Sequence, residues 1–153
     1  MEVDYKKAIV ALKRAKKIWI IGDGGSAALA DHFACDLLKN CRLPAISLCS
    51  NAAVLTAIAN DYSFAEVFLM QLKILFNKGD LLVIFSTSGD SKNLIAASVV
   101  TKNTLLVVGG GHLEKECPGI PCFIDGKDQM DIEDRMLKFC HQIVRRINNW
   151  IEP

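Results

Sequence analysis

The chain has 153 residues, 51% of them apolar, which suits one domain built around one core. Lys plus Arg number 18 and Asp plus Glu 17, so bulk charge gives no reason to expect nucleic acid or an anionic membrane as a partner. Apolar runs such as Leu81–Phe85 are too short to span a bilayer, no secretory apolar core follows the acidic start Met1–Tyr5, and the six cysteines form no CxxC pair; reduced thiols in a cytoplasmic protein are the expectation.

Tyr5 to Lys16 sets Ile9, Val10 and Leu12 among lysines and Arg14, and predicts an opening helix. Ile18–Ile21 is a continuous apolar run ending in glycine, the pattern of a strand buried on both faces. Ser26 to Lys39 is helical in period through Leu29, Phe33, Leu37 and Leu38. Ala45–Cys49 predicts a second strand, opened by Pro44. Asn51 caps a helix to about Ala59, and Phe64–Phe76 forms the next. Asn77–Asp80 is a turn before the clearest strand, Leu81–Phe85. A helix over Ser91–Lys102, a strand over Thr104–Val108, the triple glycine Gly109–Gly111, a short edge strand over Pro121–Ile124 and a helix over about Asp131–Trp150 complete the chain.

Strands alternating with helices imply a parallel sheet covered on both faces. Ligands then sit beyond the carboxyl ends of the strands, where two polar loops fall. Gly22-Asp23-Gly24-Gly25-Ser26 follows the first strand and opens a helix; its glycines let backbone amides approach an anion. It is no dinucleotide fingerprint, because Ala27 fills the last glycine position, and the chain has no P-loop. Taken alone the loop is equally a tight turn with Ser26 as cap. Ser86-Thr87-Ser88-Gly89-Asp90-Ser91 carries four hydroxyls in six residues, more than the cap at Ser91 requires, and points to anion binding without lysine or arginine.

The pairing of these two loops resembles the sugar isomerase (SIS) domains. His32-Phe33-Ala34, Ala59-Asn60-Asp61-Tyr62, Gly79-Asp80-Leu81-Leu82 and a late helix bearing Glu133 and His141 bring the resemblance closest to the phosphoheptose isomerase family, over nearly the whole chain. The resemblance implies a single SIS domain over 1–153, an α/β three-layer αβα sandwich with a five-stranded parallel sheet, flavodoxin-like in type. It implies conversion of sedoheptulose 7-phosphate to D-glycero-D-manno-heptose 7-phosphate through an enediol, in a homotetramer with active sites at subunit interfaces, with one zinc ion per site in some members. Substrate and phosphate contacts then fall at Asp23, Gly24, Gly25, Ser26, Ser86, Thr87, Ser88, Ser91 and Glu133. Acid/base roles fall at Asp36, Asp61 and His141, and metal ligands at His32, Asp36, Glu133 and His141.

Three departures from the family pattern stand out. Asp36 replaces a glutamate and shortens the carboxylate by one methylene. Glu133 replaces a glutamine and adds charge. The N-terminal helical segment, which contributes to oligomer contacts, is shorter than is usual in the family. By spacing, His32 and Asp36 share a helix face, which suits a metal or acid/base pair as well as an ordinary contact. Glu133 and His141 are eight residues apart, about 12 Å along a straight helix. Either the helix begins after Glu133, or one of the two serves a neighbouring subunit. His112 reads as a loop residue, the cysteines as small core residues, and Trp19 and Trp150 as packing residues. The rival to an isomerase of this ketose is a non-catalytic SIS module that senses sugar phosphates or scaffolds a replication initiator, or an isomerase of another sugar phosphate.

Overall fold

A computed structural model describes residues 4–117 and 119–149; the expectations for Met1–Val3 and Trp150 lie outside these residues. The chain folds as expected into a five-stranded, wholly parallel sheet between two helical layers. The strands are β1 Ile18–Ile21, β2 Ala45–Ser47, β3 Leu81–Ser86, β4 Thr104–Val108 and β5 Ile120–Phe123, and they lie in the order β2-β1-β3-β4-β5. The helices are α1 Tyr5–Arg14, α2 Gly25–Cys41, α3 Ala52–Asp61, α4 Val67–Leu75, α5 Lys92–Ser98, α6 His112–Glu116 and α7 Gln129–Asn148. A 3₁₀ turn, Phe64–Glu66, precedes α4 where one continuous helix is expected.

The alternation of side chains along each strand explains the layers. Ile18 and Ile20 of β1 and Leu81, Val83 and Phe85 of β3 enter one core with Ile9 and Leu12 of α1, Phe33 and Leu37 of α2, and Phe139 and Ile143 of α7. Trp19, Ile21, Leu82 and Ile84 point to the other face and pack with Phe68 and Leu72 of α4 and Leu94 of α5. Every residue of β1 and β3 is buried, the reason both read as unbroken apolar runs. Trp19 packs as expected, and its indole N–H also donates to the buried Asp80 carboxylate at 2.9 Å.

Local signals set the ends. Asp4, Asn51 and Asp128 cap α1, α3 and α7 by accepting backbone N–H groups. Arg42 ends α2 in the left-handed conformation (φ 56°), and its N–H returns to the Leu37 carbonyl. Among the described residues no helix is long and apolar enough to cross a membrane.

The strand order reverses between β1 and β3, which are hydrogen-bonded neighbours with Ile18 opposite Leu81. Loops leaving two adjacent strands at such a reversal splay to opposite sides and open a crevice between them. The two loops singled out in the sequence are the ones that leave β1 and β3.

Candidate active site

The loop after β1 turns tightly at Gly22 and Gly24. A Cβ on Gly22 would sit 2.5 Å from the Ser26 carbonyl oxygen, and Gly24 has a φ of +55°. Helix α2 therefore starts at Gly25, with Gly24 at its N-cap and Ser26 buried in its first turn. This corrects the alternative of Ser26 as the cap. The loop after β3 carries Gly89 at φ +71°; the Gly89 N–H donates to Ser86 Oγ at 2.9 Å and the Asp90 N–H to Ser88 Oγ at 3.2 Å. Ser91 occupies the N-cap position of α5, yet its hydroxyl makes no capping hydrogen bond. Capping therefore does not account for Ser91.

Between the loops lies a cleft of about 290 Å³ lined by Asp23, Gly24, Gly25, Ser26, Ser86, Thr87, Ser88 and Ser91, and closed from α7 by Gln129 and Glu133. All nine residues expected to contact substrate meet here. Two further anchors were not foreseen. Asn93, 2% exposed, donates from Nδ2 to Asp23 Oδ1 at 2.7 Å and ties the first loop to α5. The Cys49 thiol donates to the Gly22 carbonyl at 3.4 Å, and burial pushes its pKa up to about 11. Among the described residues no lysine or arginine lines the cleft. Hydroxyls and backbone, with the first turn of α2 behind them, are what it offers an anion.

A second cluster forms where α2 packs on α7. His32 Nε2 and His141 Nε2 are 3.0 Å apart, with rings edge to face at 5.2 Å. Asp36 Oδ2 lies 3.3 Å from His32 Nε2 and 3.9 Å from His141 Nε2. The side chains of His32 and His141 are 47% and 42% exposed, that of Asp36 only 17%, so the cluster opens to solvent above a largely covered carboxylate. Asn40, one turn on, donates from Nδ2 to Asp36 Oδ1 at 3.0 Å and fixes its orientation, a role that sequence reading missed. His141 is partly exposed in the cluster, whereas Cys140 beside it is buried.

One ligand atom from each of His32, Asp36 and His141 falls within 4.8 Å of the other two. In tetrahedral zinc, ligands at about 2.0–2.1 Å lie about 3.3 Å from each other, which the 3.0 Å nitrogen separation approaches. Two imidazoles and a carboxylate also form a donor set that zinc accepts with a fourth position open. Glu133, the fourth expected ligand, is not in this group. Helix α7 is continuous from Gln129 to Asn148, which overturns the alternative in which it begins after Glu133. The Glu133 carboxylate is packed against Gly25, where a Cβ would meet its oxygens at 2.4 and 2.5 Å. Two turns of helix separate it from His141, so it serves the cleft rather than the cluster. Asp61 is in neither place. It ends α3 on the surface and accepts from Asn60 Nδ2 at 2.9 Å.

The remaining thiols only partly follow expectation. Cys122 and Cys140 are core residues, with Cys122 pushed up to about 12 by burial, but Cys35 is exposed on the outer face of α2. His112 begins α6 rather than lying in a loop.

Residues 5–109 match the family described as SIS domain. The chain is 38% identical to the phosphoheptose isomerase of Campylobacter concisus, across 97% of this chain and 84% of that protein. The figures for the phosphoheptose isomerase of Aliarcobacter butzleri are the same. Among solved structures, the phosphoheptose isomerase of Neisseria gonorrhoeae superposes with a TM-score of 0.87 at 29% identity, covering 94% of this chain and 84% of that one.

Proposed function

The chain belongs to the SIS domain family, in its phosphoheptose isomerase branch, and from that premise we propose that it converts sedoheptulose 7-phosphate to D-glycero-D-manno-heptose 7-phosphate through an enediol. The observation that carries this reading is the shared use of α2 and α7. Both helices contribute to the hydroxyl-lined cleft, through Gly25, Ser26 and Glu133, and both contribute to the His32–Asp36–His141 cluster. A phosphate held in the cleft leaves the rest of an extended sugar free to run along this helix pair.

In the proposed reaction Ser26, Ser86, Thr87, Ser88 and Ser91 hold the phosphate, while Asp23 and Glu133 accept sugar hydroxyls. Asp36, oriented by Asn40, takes the proton from C1 and returns it at C2. His141 passes a proton between the oxygens on C2 and C1, so that the carbonyl moves from C2 to C1. In a zinc-loaded form His32, Asp36 and His141 would hold the ion, which would supply, in place of the His141 proton, polarisation of the carbonyl and stabilisation of enediolate charge. Asp61 joins the site from a neighbouring subunit in a homotetramer. Support for an assembly comes from α3, an apolar helix with no buried residue, and from the nearby exposed Ile46, Tyr62, Phe64 and Ile74. The protein would act in the cytoplasm as one SIS domain, without nucleic acid or membrane.

Incubating the protein with sedoheptulose 7-phosphate and following the aldose product tests this reading. No turnover with or without added zinc would refute it. The short carboxylate of Asp36 favours a second reading, a sugar-phosphate-binding SIS module without catalysis. Ligand binding without turnover, together with a protein partner, would support that alternative.

A further inference from the structure

We propose that His112 is a positioning residue for the phosphate loop: its backbone N–H and its ring clasp Asp90 and hold the Ser86–Ser91 turn in the shape that receives a phosphate. The proposal rests on the reading of that loop as the phosphate site, and assigns a role to a residue which that reading leaves unused.

The turn after β4 lies against the phosphate loop backbone to backbone. A Cβ on Gly89 would fall 1.6 Å from the Gly110 carbonyl oxygen, one on Gly109 2.2 Å from that of Thr87, and one on Gly111 2.1 Å from that of Ser88. Main-chain bonds cross the seam from Gly109 N–H to the Ser86 carbonyl and from Leu113 N–H to the Gly89 carbonyl, each at 3.0 Å. At Gly89, Gly109 and Gly111 the seam carries no side chain of its own to interlock. Asp90 reaches across it: Oδ1 accepts the His112 N–H at 3.0 Å and meets His112 Nδ1 at 2.6 Å. These bonds to His112 also hold the Asp90 carboxyl below the usual carboxylate range.

Asp90 does not line the cleft, but its neighbours do. Its own N–H is bonded to Ser88 Oγ and that of Gly89 to Ser86 Oγ, so where residues 89 and 90 sit decides where two phosphate-facing hydroxyls sit. A cleft without lysine or arginine relies on aligned dipoles, and their alignment before binding translates into affinity.

Calorimetry with inorganic phosphate reads the clasp directly, whether or not the protein turns over a seven-carbon ketose. His112→Ala and Asp90→Ala should each weaken phosphate binding about three- to tenfold, the scale of one or two hydrogen bonds. His112→Asn, with an amide near the Nδ1 position, and Asp90→Asn, which keeps the Oδ1 acceptor, should stay within twofold. The double alanine variant should be no weaker than Asp90→Ala alone, which already loses both bonds to His112. In turnover, the loss should fall on KM more than on kcat. Unchanged phosphate affinity in His112→Ala, additive losses in the double variant, or a fall in kcat alone would overturn the proposal. A wild-type protein that binds no phosphate would overturn both it and the phosphate reading of the loop, whereas phosphate binding without isomerisation would overturn only the enzyme reading.

Discussion

Asp36 is the residue on which the proposed chemistry turns. Its Oδ2 faces two imidazoles, and its Oδ1 is held by Asn40. Asp36→Asn keeps the volume and removes the charge, so kcat should fall about 100-fold or more, as should that of His141→Ala. Asn40→Ala should cost less, about tenfold, and the loss should appear in kcat and in zinc affinity together, because it frees a ligand to rotate. The buried thiols predict behaviour at alkaline pH. Cys49 and Cys122 have folded pKa values raised to about 11 and about 12, against 9.0 for an ordinary thiol. The unfolded chain therefore ionises them first. Their contribution to stability is whole below pH 9 and is lost as pH rises from there through 11 to 12. Thermal melts taken across that range should show a falling midpoint, and Cys49→Ser or Cys122→Ala should flatten the dependence. Little of this was legible in the sequence. That His32 meets His141 depends on two helices packing across a separation of 109 residues, which no local pattern encodes.

At the scale of elements, the strands were legible because burial on both faces leaves uninterrupted apolar runs. The helix ends were less so. Helix α5 stops at Ser98 rather than Lys102, and β2 at Ser47 rather than Cys49. Beyond Ser47 the Cys49 N–H bonds to the Ser47 hydroxyl instead of a ladder partner. Five-residue α6 is too short to show a period. Three predictions belong to α2. Phe33 is fully buried and meets Phe85 edge to face at 5.8 Å, so Phe33→Ala should cost about 3–5 kcal/mol in denaturant unfolding and loosen the face that carries His32 and Asp36. Arg42 pays the left-handed penalty at the end of the same helix, and Arg42→Gly should raise stability by about 1 kcal/mol. At the other end, Gly25→Ala should fold, because the atoms it strikes are the far end of the flexible Glu133 side chain. Substrate affinity should drop in that variant as Glu133 is pushed from the cleft.

For the whole molecule, the doubly wound order β2-β1-β3-β4-β5 sets both proposed phosphate loops at one reversal of the sheet, and α2 links the first of them to the histidine cluster. The alternation of strands and helices read in chain order implies the parallel sheet and the place of both loops at its carboxyl edge, but not the strand order. Nor does it imply the position of Asp61, outside both groups; within one chain that residue has no site to serve, and the apolar outer face of α3 gives the proposed reason. Ile74, 79% exposed, lies beside that face, so Ile74→Asp should shift the proposed tetramer toward smaller species in sedimentation and lower kcat without lowering the melting temperature of the separated subunits. The account stands or falls on catalysis by the combined cleft and cluster. The most direct measurement is the rate of aldose formation from sedoheptulose 7-phosphate by the wild-type protein, with zinc content determined on the same sample. The account predicts turnover that Asp36→Asn and His141→Ala reduce about 100-fold or more while phosphate binding persists. Wild-type protein that binds phosphate and zinc yet forms no aldose would contradict it.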